Sequence, residues 1–537
     1  MKNLKKLSAL ILAAAMLFTL AACNAKSDDV YGDSNFSSNS GYGDHISGGN
    51  YIEGDASVAP TDKEMSFEAA ADEDAAEPES PDRPMPEVPE TIIIKENDFT
   101  KTEEQAVSTF SADVDTASYT YLRKLINLGY DLGALRATAG SAIRTEEIVN
   151  YFSYDFSAPE KNDLFGKTVS VIPSPWNKDT MLLTIGLKAE EINEETKNNL
   201  VFLIDVSGSM SSDDKLGLLK KAFSFLTENL GSDDRVSIVT YAGSERVVLD
   251  GCEGYKKADI LRAINDLTSG GSTNGEAGIV KAYELAEKHF IKGGNNRIIM
   301  ASDGDLNVGI SSPKQLEELV AEKRDSGVFL SSLGFGTGNF RDSNMSALAQ
   351  NGNGVYHYID CEAEAERIFT EKLLSTIRTV AKDVKLQITF DPDTVSEYRL
   401  IGYENRMLNK EDFEDDTKDA GDLGSGHTVT VCYELKLTGT SGDLAKLAIR
   451  HKAPDGIKSE LEEYTIGAKH ITAAPSKDAQ FIATAVEFSM LLRQSQFANE
   501  ETTTLEALIT RLEGMDLDNE KAELLDLMIK LSATEYN

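Results

Sequence analysis

Cysteine is scarce in this chain, which has four in 537 residues, and one of them, Cys23, lies near the N-terminus. The other three, Cys252, Cys361 and Cys432, are widely separated. An odd number of distant cysteines provides neither a disulfide framework nor the ligand spacing of a zinc site. The sequence therefore excludes a disulfide-stapled fold. One disulfide remains possible, and the spacing does not identify which two cysteines would form it.

Basic residues are also few relative to acidic ones. The chain carries 53 Lys and Arg residues against 90 Asp and Glu, a formal net charge of −37. Nucleic-acid binding demands clustered cations on the protein, so this balance excludes a nucleic acid as partner. A surface of this sign attracts cations, including metal ions.

The N-terminus has the pattern of a secretory signal. Lys2, Lys5 and Lys6 precede an apolar run over residues 7–22, which is too short and wrongly flanked for a membrane span. The run ends in Leu20-Ala21-Ala22-Cys23, which resembles the bacterial lipobox. The resemblance implies cleavage before Cys23, lipidation of its thiol and an extracytoplasmic protein anchored to the cell membrane. A plain cleaved signal is the alternative.

Residues 24 to about 90 lack apolar periodicity and are rich in Ser, Gly, Asp, Glu and Pro. Charge repulsion and proline extend such a chain, and it has too few apolar residues to form a core. We expect a disordered acidic tether that holds the folded part away from the membrane.

Polar oxygen-bearing residues follow two predicted buried strands. The apolar run at 201–204 leads into Asp205-x-Ser207-x-Ser209, and the run at 298–301 leads to Asp303. A glycine-rich loop at 270–275 supplies Thr273. Continuous apolar runs indicate central parallel strands covered on both faces, and ligands in such sheets bind beyond the strands' carboxyl ends.

These residue types suit a small divalent cation. Carboxylates and hydroxyls are hard oxygen ligands of the kind that Mg²⁺ or Mn²⁺ prefers. No Cys or His stands near the first loop, which argues against zinc. Neutral hydroxyls with only two carboxylates leave the ion electrophilic, so it can accept one more anionic oxygen, such as that of a partner's Glu or Asp.

The five positions together resemble the metal-ion-dependent adhesion site of von Willebrand factor A domains. The resemblance implies that the hydroxyls of Ser207, Ser209 and Thr273 are ligands. It implies that Asp205 and Asp303 bind directly or through water. In that family the metal keeps one position vacant for an acidic side chain of a protein partner, whose identity the sequence does not give.

Helical and strand patterns alternate around these loops, which predicts a doubly wound, Rossmann-like α/β domain. The chain is too long for one core. Strand patterns around 169–171 and 181–185 precede this domain and further ones follow it, so we predict that both flanks form one β-sandwich-like region into which the domain is inserted. The predicted segments are a signal peptide at 1–22, the lipidated Cys23 and tether at 23–98, an N-terminal flank at 99–195, the von Willebrand factor A domain at 196–378, a β-rich region at 379–470 and C-terminal helices at 471–537.

Both flanks carry a second resemblance. Residues 108–119, 144–152 and 175–177, and then 398–406 and 415–421, resemble the N- and C-terminal regions of bacterial lipoproteins that bear a von Willebrand factor A domain. We therefore expect a surface lipoprotein that binds a protein partner through its metal and is not an enzyme.

Two alternatives remain. The A domain could serve a structural or assembly role in an envelope complex. Asp113-x-Asp115 resembles the motif of haloacid-dehalogenase-like phosphatases, in which the first Asp is the nucleophile. Here the fifth position is Ala117, and residues 108–111 look like a poor buried strand, so phosphatase activity is the weaker hypothesis.

Overall fold

The computed structural model describes residues 94–534, apart from residues 141, 193–195, 273, 306–312, 325, 338–341, 373, 374, 376 and 455. The predicted signal peptide, Cys23 and the tether up to residue 93 lie outside the described residues, and so does Thr273.

Within the described residues the strands follow in this order: β1 Thr100–Lys101, β2 Val107–Ser111, β3 Phe165–Pro173, β4 Met181–Ala189, β5 Asn198–Asp205, β6 Arg235–Tyr241, β7 Glu245–Glu253, β8 Asn295–Ser302, β9 Phe329–Gly334, β10 Tyr356–Tyr358, β11 Thr379–Phe390, β12 Val395–Ile401, β13 Gly421–Gly424, β14 Thr428–Leu437, β15 Asp443–Lys452 and β16 Ser459–Gly467.

The α-helices are α1 Ala117–Asn127, α2 Leu132–Thr138, α3 Thr145–Asn150, α4 Leu218–Glu228, α5 Lys257–Asn265, α6 Gly275–Lys288, α7 Pro313–Arg324, α8 Asp342–Asn351, α9 Glu362–Glu366, α10 Lys477–Arg493, α11 Leu505–Glu513 and α12 Asn519–Thr534. A π-helical turn, Asp213–Gly217, leads into α4.

The A domain is built on a six-stranded sheet in the order β10-β9-β8-β5-β6-β7. Its strands are parallel except for the edge strand β7, which is antiparallel to β6. Alternate residues of β5 enter different cores: Phe202 packs with α4 and α5, and Leu203 packs with α6. A strand buried on both faces needs a continuous apolar run, which confirms the predicted doubly wound fold.

The flanks on either side of this domain join in two further sheets. One has the order β1-β12-β14-β4-β3, and the other has the order β13-β11-β15-β16 with β2 added to β11. Ile185 of β4 pairs with Val431 of β14, so strands from before and after the A domain are neighbours. Apolar side chains of both sheets, among them Leu183 and Leu386, share one core. The predicted β-sandwich-like region is therefore present.

The C-terminal helices α10 and α12 pack against α1, α2 and α3 of the N-terminal flank, and α11 packs against α10 and α12 in the same core. Trp176, the one tryptophan in the sequence, is buried in this core. No helix in the described part of the chain has both the length and the apolar character that crossing a bilayer requires.

One local expectation was wrong. Residues 108–111 were expected to be a poor buried strand, yet β2 is buried and pairs with β11. Its hydroxyls have partners: Ser108 Oγ accepts from Tyr433 Oη at 2.8 Å, and Thr109 Oγ1 accepts from Gln387 Nε2 at 3.1 Å. Hydroxyl groups that are hydrogen-bonded in this way can be buried at little cost.

Candidate metal centre

The predicted metal ligands lie at the sheet's topological switch point. Asp205 ends β5, and Asp303 directly follows β8, the parallel neighbour of β5. The chain continues from β5 to β6 on one side and from β8 to β9 on the other. Ligands of open α/β sheets bind in the crevice that this reversal creates, so both carboxylates stand where a ligand is expected.

The Asp205 carboxylate is fully buried and held from two sides. Its Oδ1 accepts a hydrogen bond from the Ser207 N–H at 2.9 Å, and its Oδ2 accepts one from Ser302 Oγ at 2.8 Å. Burial is the largest cause that raises the pKa of Asp205, and the nearby Asp303 carboxylate adds to it, while the hydrogen bonds from Ser207 and Ser302 lower it; together they place the pKa at about 6. The orientation of the carboxylate is thus fixed by its neighbours.

The two serine hydroxyls of the ligand loop, residues 205–209, lie side by side. Ser207 Oγ and Ser209 Oγ are 3.0 Å apart. The two hydroxyls share a hydrogen bond at this distance, and with Asp205 and Asp303 they would form an all-oxygen donor set that fits a small hard cation.

The loop that carries Thr273 rests on the ligand loop. The Gly208 N–H donates to the Gly271 carbonyl at 3.0 Å, and the Gly270 N–H donates to the Val206 carbonyl at 2.7 Å. Gly271 has a φ of +87°, in the left-handed region that favours glycine. Thr273 itself lies outside the described residues, so its role as a ligand stays a prediction.

Sequence reasoning missed two residues of the site. Ser302 fixes Asp205, and its Oγ also accepts from the Gly304 N–H at 2.9 Å. Lys215 places its ammonium 2.9 Å from Asp303 Oδ2 and 3.0 Å from the Ser209 carbonyl. Ser302 could have been found from its position beside Asp303, whereas no sequence pattern distinguishes Lys215 from a surface lysine.

Asp113 and Asp115, the residues of the phosphatase hypothesis, lie in a separate carboxylate cluster with Glu147. The cluster is buried, and one oxygen from each residue lies within 4.8 Å of the others. Arg406 binds it: its Nη2 is 2.9 Å from Asp113 Oδ1 and 3.1 Å from Asp115 Oδ2. Burial, followed by the charge of Asp113, raises the pKa of Asp115 well above its ordinary value.

This cluster connects three parts of the chain. Glu147 pairs with Arg144, whose Nη1 is 2.7 Å from Asp342 Oδ2 in the A domain. Asp115 Oδ1 accepts from the Tyr356 N–H of β10 at 2.8 Å. Carboxylates engaged in this way fix the position of the A domain against its flanks.

All three cysteines in the described residues, Cys252, Cys361 and Cys432, are free thiols. The disulfide that the sequence left open is not formed among them.

Comparisons with known proteins agree with this architecture. The family model described as von Willebrand factor type A domain matches residues 199–371. A model described as von Willebrand factor matches residues 91–184, and one described as uncharacterized protein YfbK, C-terminal, matches residues 375–533.

Individual relatives include YfbK of Escherichia coli (strain K12), which is 39% identical over 463 residues and is matched over 81% of this chain and 79% of its own length. Human inter-alpha-trypsin inhibitor heavy chain H3 is 28% identical over 179 residues, which are 31% of this chain and 20% of that protein. A solved von Willebrand factor type A structure from Catenulispora acidiphila covers 72% of this chain and 89% of its own, with 15% identity and a TM-score of 0.41. The similarity to YfbK extends through the A domain and both flanks, and this chain belongs to the YfbK family of von Willebrand factor type A domain proteins.

Proposed function

We propose that this protein is a lipid-anchored surface protein whose A domain binds a protein partner through Mg²⁺ or Mn²⁺. The ligands are Asp205, Ser207, Ser209, Thr273 and Asp303, and the partner provides a Glu or Asp side chain. Von Willebrand factor A domains are commonly protein-interaction modules, and the metal supplies an electrophilic position for the partner's carboxylate. The protein acts by binding and not by catalysis.

The observation that carries this proposal is the geometry of the ligand loop. Two hydroxyls lie 3.0 Å apart beside a buried carboxylate, at the crevice between β5 and β8. The hydroxyl ligands are neutral and add no charge to that of the two carboxylates, so the ion would remain able to accept a further anionic oxygen from outside.

Isothermal titration with Mn²⁺ tests the metal site. Wild-type protein should bind one ion, and Asp205→Ala should weaken binding by about 100-fold or more, since it removes a ligand outright. Asp259→Asn is the control, because Asp259 is an exposed residue of α5 and its substitution removes one negative charge at a distance from the site. Equal affinity in wild type and Asp205→Ala would refute the metal assignment.

The membrane anchor is supported by Cys23 and the lipobox-like residues before it. Metabolic labelling with a fatty-acid analogue should mark the wild-type protein and leave Cys23→Ser unlabelled. Each buried methylene of an acyl chain contributes about 0.8 kcal/mol to membrane binding, so the wild type should sediment with membranes. Label on the Ser variant would show that the anchor is elsewhere.

The partner can be sought with the same chemistry. Protein immobilised in the presence of Mn²⁺ should retain a partner from envelope extract, and a chelator should release it. Immobilised Asp205→Ala should not retain that partner. A partner that stays bound after chelation would contradict binding through the metal.

A further inference from the structure

Lys215 brings a positive charge of the protein's own into the metal centre. Its ammonium bridges two of the ligand-bearing loops, because it contacts both Asp303 Oδ2 and the carbonyl of Ser209. The Lys215 side chain is only 8% exposed and the Asp303 side chain is fully buried. In such surroundings a charge acts on its neighbours far more strongly than it would in water.

Two parts of the fold place this ammonium: the turn that carries Lys215 and the loop after β9. Lys215 lies on the π-helical turn Asp213–Gly217 that leads into α4, and such turns are frequent at functional sites. The Lys215 stem passes over Gly336 in the loop after β9, where a Cβ would lie 2.2 Å from Lys215 Cε. Gly336 has a φ of +76° and its carbonyl accepts from Tyr358 Oη at 2.8 Å. The absence of a side chain at Gly336 therefore leaves room for the lysine.

The charges of the two ligand carboxylates, of Lys215 and of the ion can be summed by themselves. Metal binding requires ionised carboxylates, so Asp205 and Asp303 contribute two negative charges and Lys215 one positive charge. A divalent cation then leaves an excess of one positive charge, which one carboxylate of a partner neutralises. Without Lys215 the same loaded site is neutral. The loaded site with Lys215 is therefore one charge unit more positive than the loaded site without it, whatever other charges lie nearby.

We infer that Lys215 sets the charge of this centre so that metal binding is weakened and binding of an acidic ligand to the loaded site is strengthened. The inference rests on the proposed metal function and adds a residue that tunes it. A positive charge repels the arriving cation, and it attracts the carboxylate that follows. Removal of the charge must therefore change the two affinities in opposite directions, which loss of packing alone does not do.

The experiment compares Lys215→Met, Lys215→Gln and Lys215→Arg with the wild type. Mn²⁺ affinity is measured by isothermal titration, and thermal unfolding of each metal-free protein checks its fold. Acetate is then titrated into the Mn²⁺-loaded proteins and followed by water-proton relaxation, with neutral acetamide as its matched control. Lys221→Gln, which removes an exposed charge from α4, is the control variant.

Lys215→Met and Lys215→Gln should bind Mn²⁺ about tenfold more tightly and acetate about tenfold more weakly than the wild type. Lys215→Arg and Lys221→Gln should resemble the wild type in both titrations. Mn²⁺ affinity that is unchanged or lower in folded Lys215→Met and Lys215→Gln overturns this inference and leaves the proposed function standing. Failure of the wild type and every variant to bind Mn²⁺ overturns both.

Discussion

At the scale of single residues, the candidate metal centre contains side chains that position other side chains. Asp205 is aligned by the Ser207 N–H and the Ser302 hydroxyl. The sequence could indicate Asp205, Ser207, Ser209 and Asp303, because their spacing follows two apolar runs. It could not indicate Lys215, whose importance depends on a fold that brings residue 303 to residue 215.

Ser302→Ala should weaken Mn²⁺ binding by about tenfold or more, because partners that orient a metal ligand typically contribute 10- to 100-fold to affinity. Isothermal titration measures the effect. Ser332→Ala is the matched control, since it removes another buried hydroxyl, one that donates to the Met345 carbonyl. Equal losses in the two variants would show that Ser302 affects only stability.

Arg406→Ala should lower the free energy of unfolding by about 3–5 kcal/mol, because it leaves Asp113 and Asp115 buried without their cation. Urea denaturation measures the change. Arg450→Ala removes a more exposed pair with Asp416 and should cost about 1 kcal/mol or less. A loss of less than about 1 kcal/mol in Arg406→Ala would show that the carboxylate cluster does not depend on Arg406.

At the scale of elements, the success of sequence reasoning follows burial. β5 and β8 were predictable because both faces are buried and their runs are continuously apolar. β7 gave no clear pattern because it is an edge strand whose apolar residues Val248, Leu249 and Cys252 are only half-buried against the core. β2 was misjudged because its hydroxyls find partners on strands distant in sequence. Patterns report burial, but they do not report which distant group will satisfy a hydroxyl.

Helix α9 joins the end of the A domain to the rest of the molecule. Arg123 of α1 lies 2.6 Å from Asp360 Oδ1, 2.8 Å from Glu364 Oε2 and 2.9 Å from Glu523 Oε2 of α12. Burial by itself raises the pKa of Glu364, but Arg367 and Arg123 outweigh it and lower the pKa from 4.5 to about 2. The ionised form therefore stabilises the folded protein.

This shift predicts a pH dependence. Since the folded pKa is the lower one, the contribution of Glu364 is complete above pH 4.5 and is lost as the pH falls toward 2. The loss should be about 3 kcal/mol. The free energy of unfolding, measured by urea denaturation between pH 5 and 3, should fall less steeply with decreasing pH in Glu364→Gln than in the wild type. Glu362→Gln, which removes an exposed carboxylate from the same helix, should keep the pH dependence of the wild type. If Glu364→Gln also kept the wild-type pH dependence, the account of Glu364 would be contradicted.

At the scale of the whole molecule, the A domain is an insertion in a β-sandwich that closes through strands from both flanks. β4 and β14 are paired along their length, and the two sheets share one core. The sequence suggested this arrangement from strand patterns on both sides of the domain, but it could not give the pairing, since period-2 alternation does not identify a partner strand. The boundaries at residues 195/196 and 378/379 remain predictions.

Cleavage of both connections to the A domain should leave the flanks together. Protease sites can be placed at residues 193–195 and 373–376. After cleavage, the N-terminal and C-terminal flanking fragments should co-elute in native size-exclusion chromatography and separate in denaturant, because a shared apolar core holds them together. Flanks that elute separately as folded pieces would contradict the insertion.

The most direct test of the metal centre is an anomalous difference map from a crystal soaked in millimolar Mn²⁺. The account predicts one strong peak at coordination distance from the hydroxyls of Ser207 and Ser209, beside Asp205 and Asp303. A map without a peak at this position, with Ser207 and Ser209 unchanged, would contradict the account.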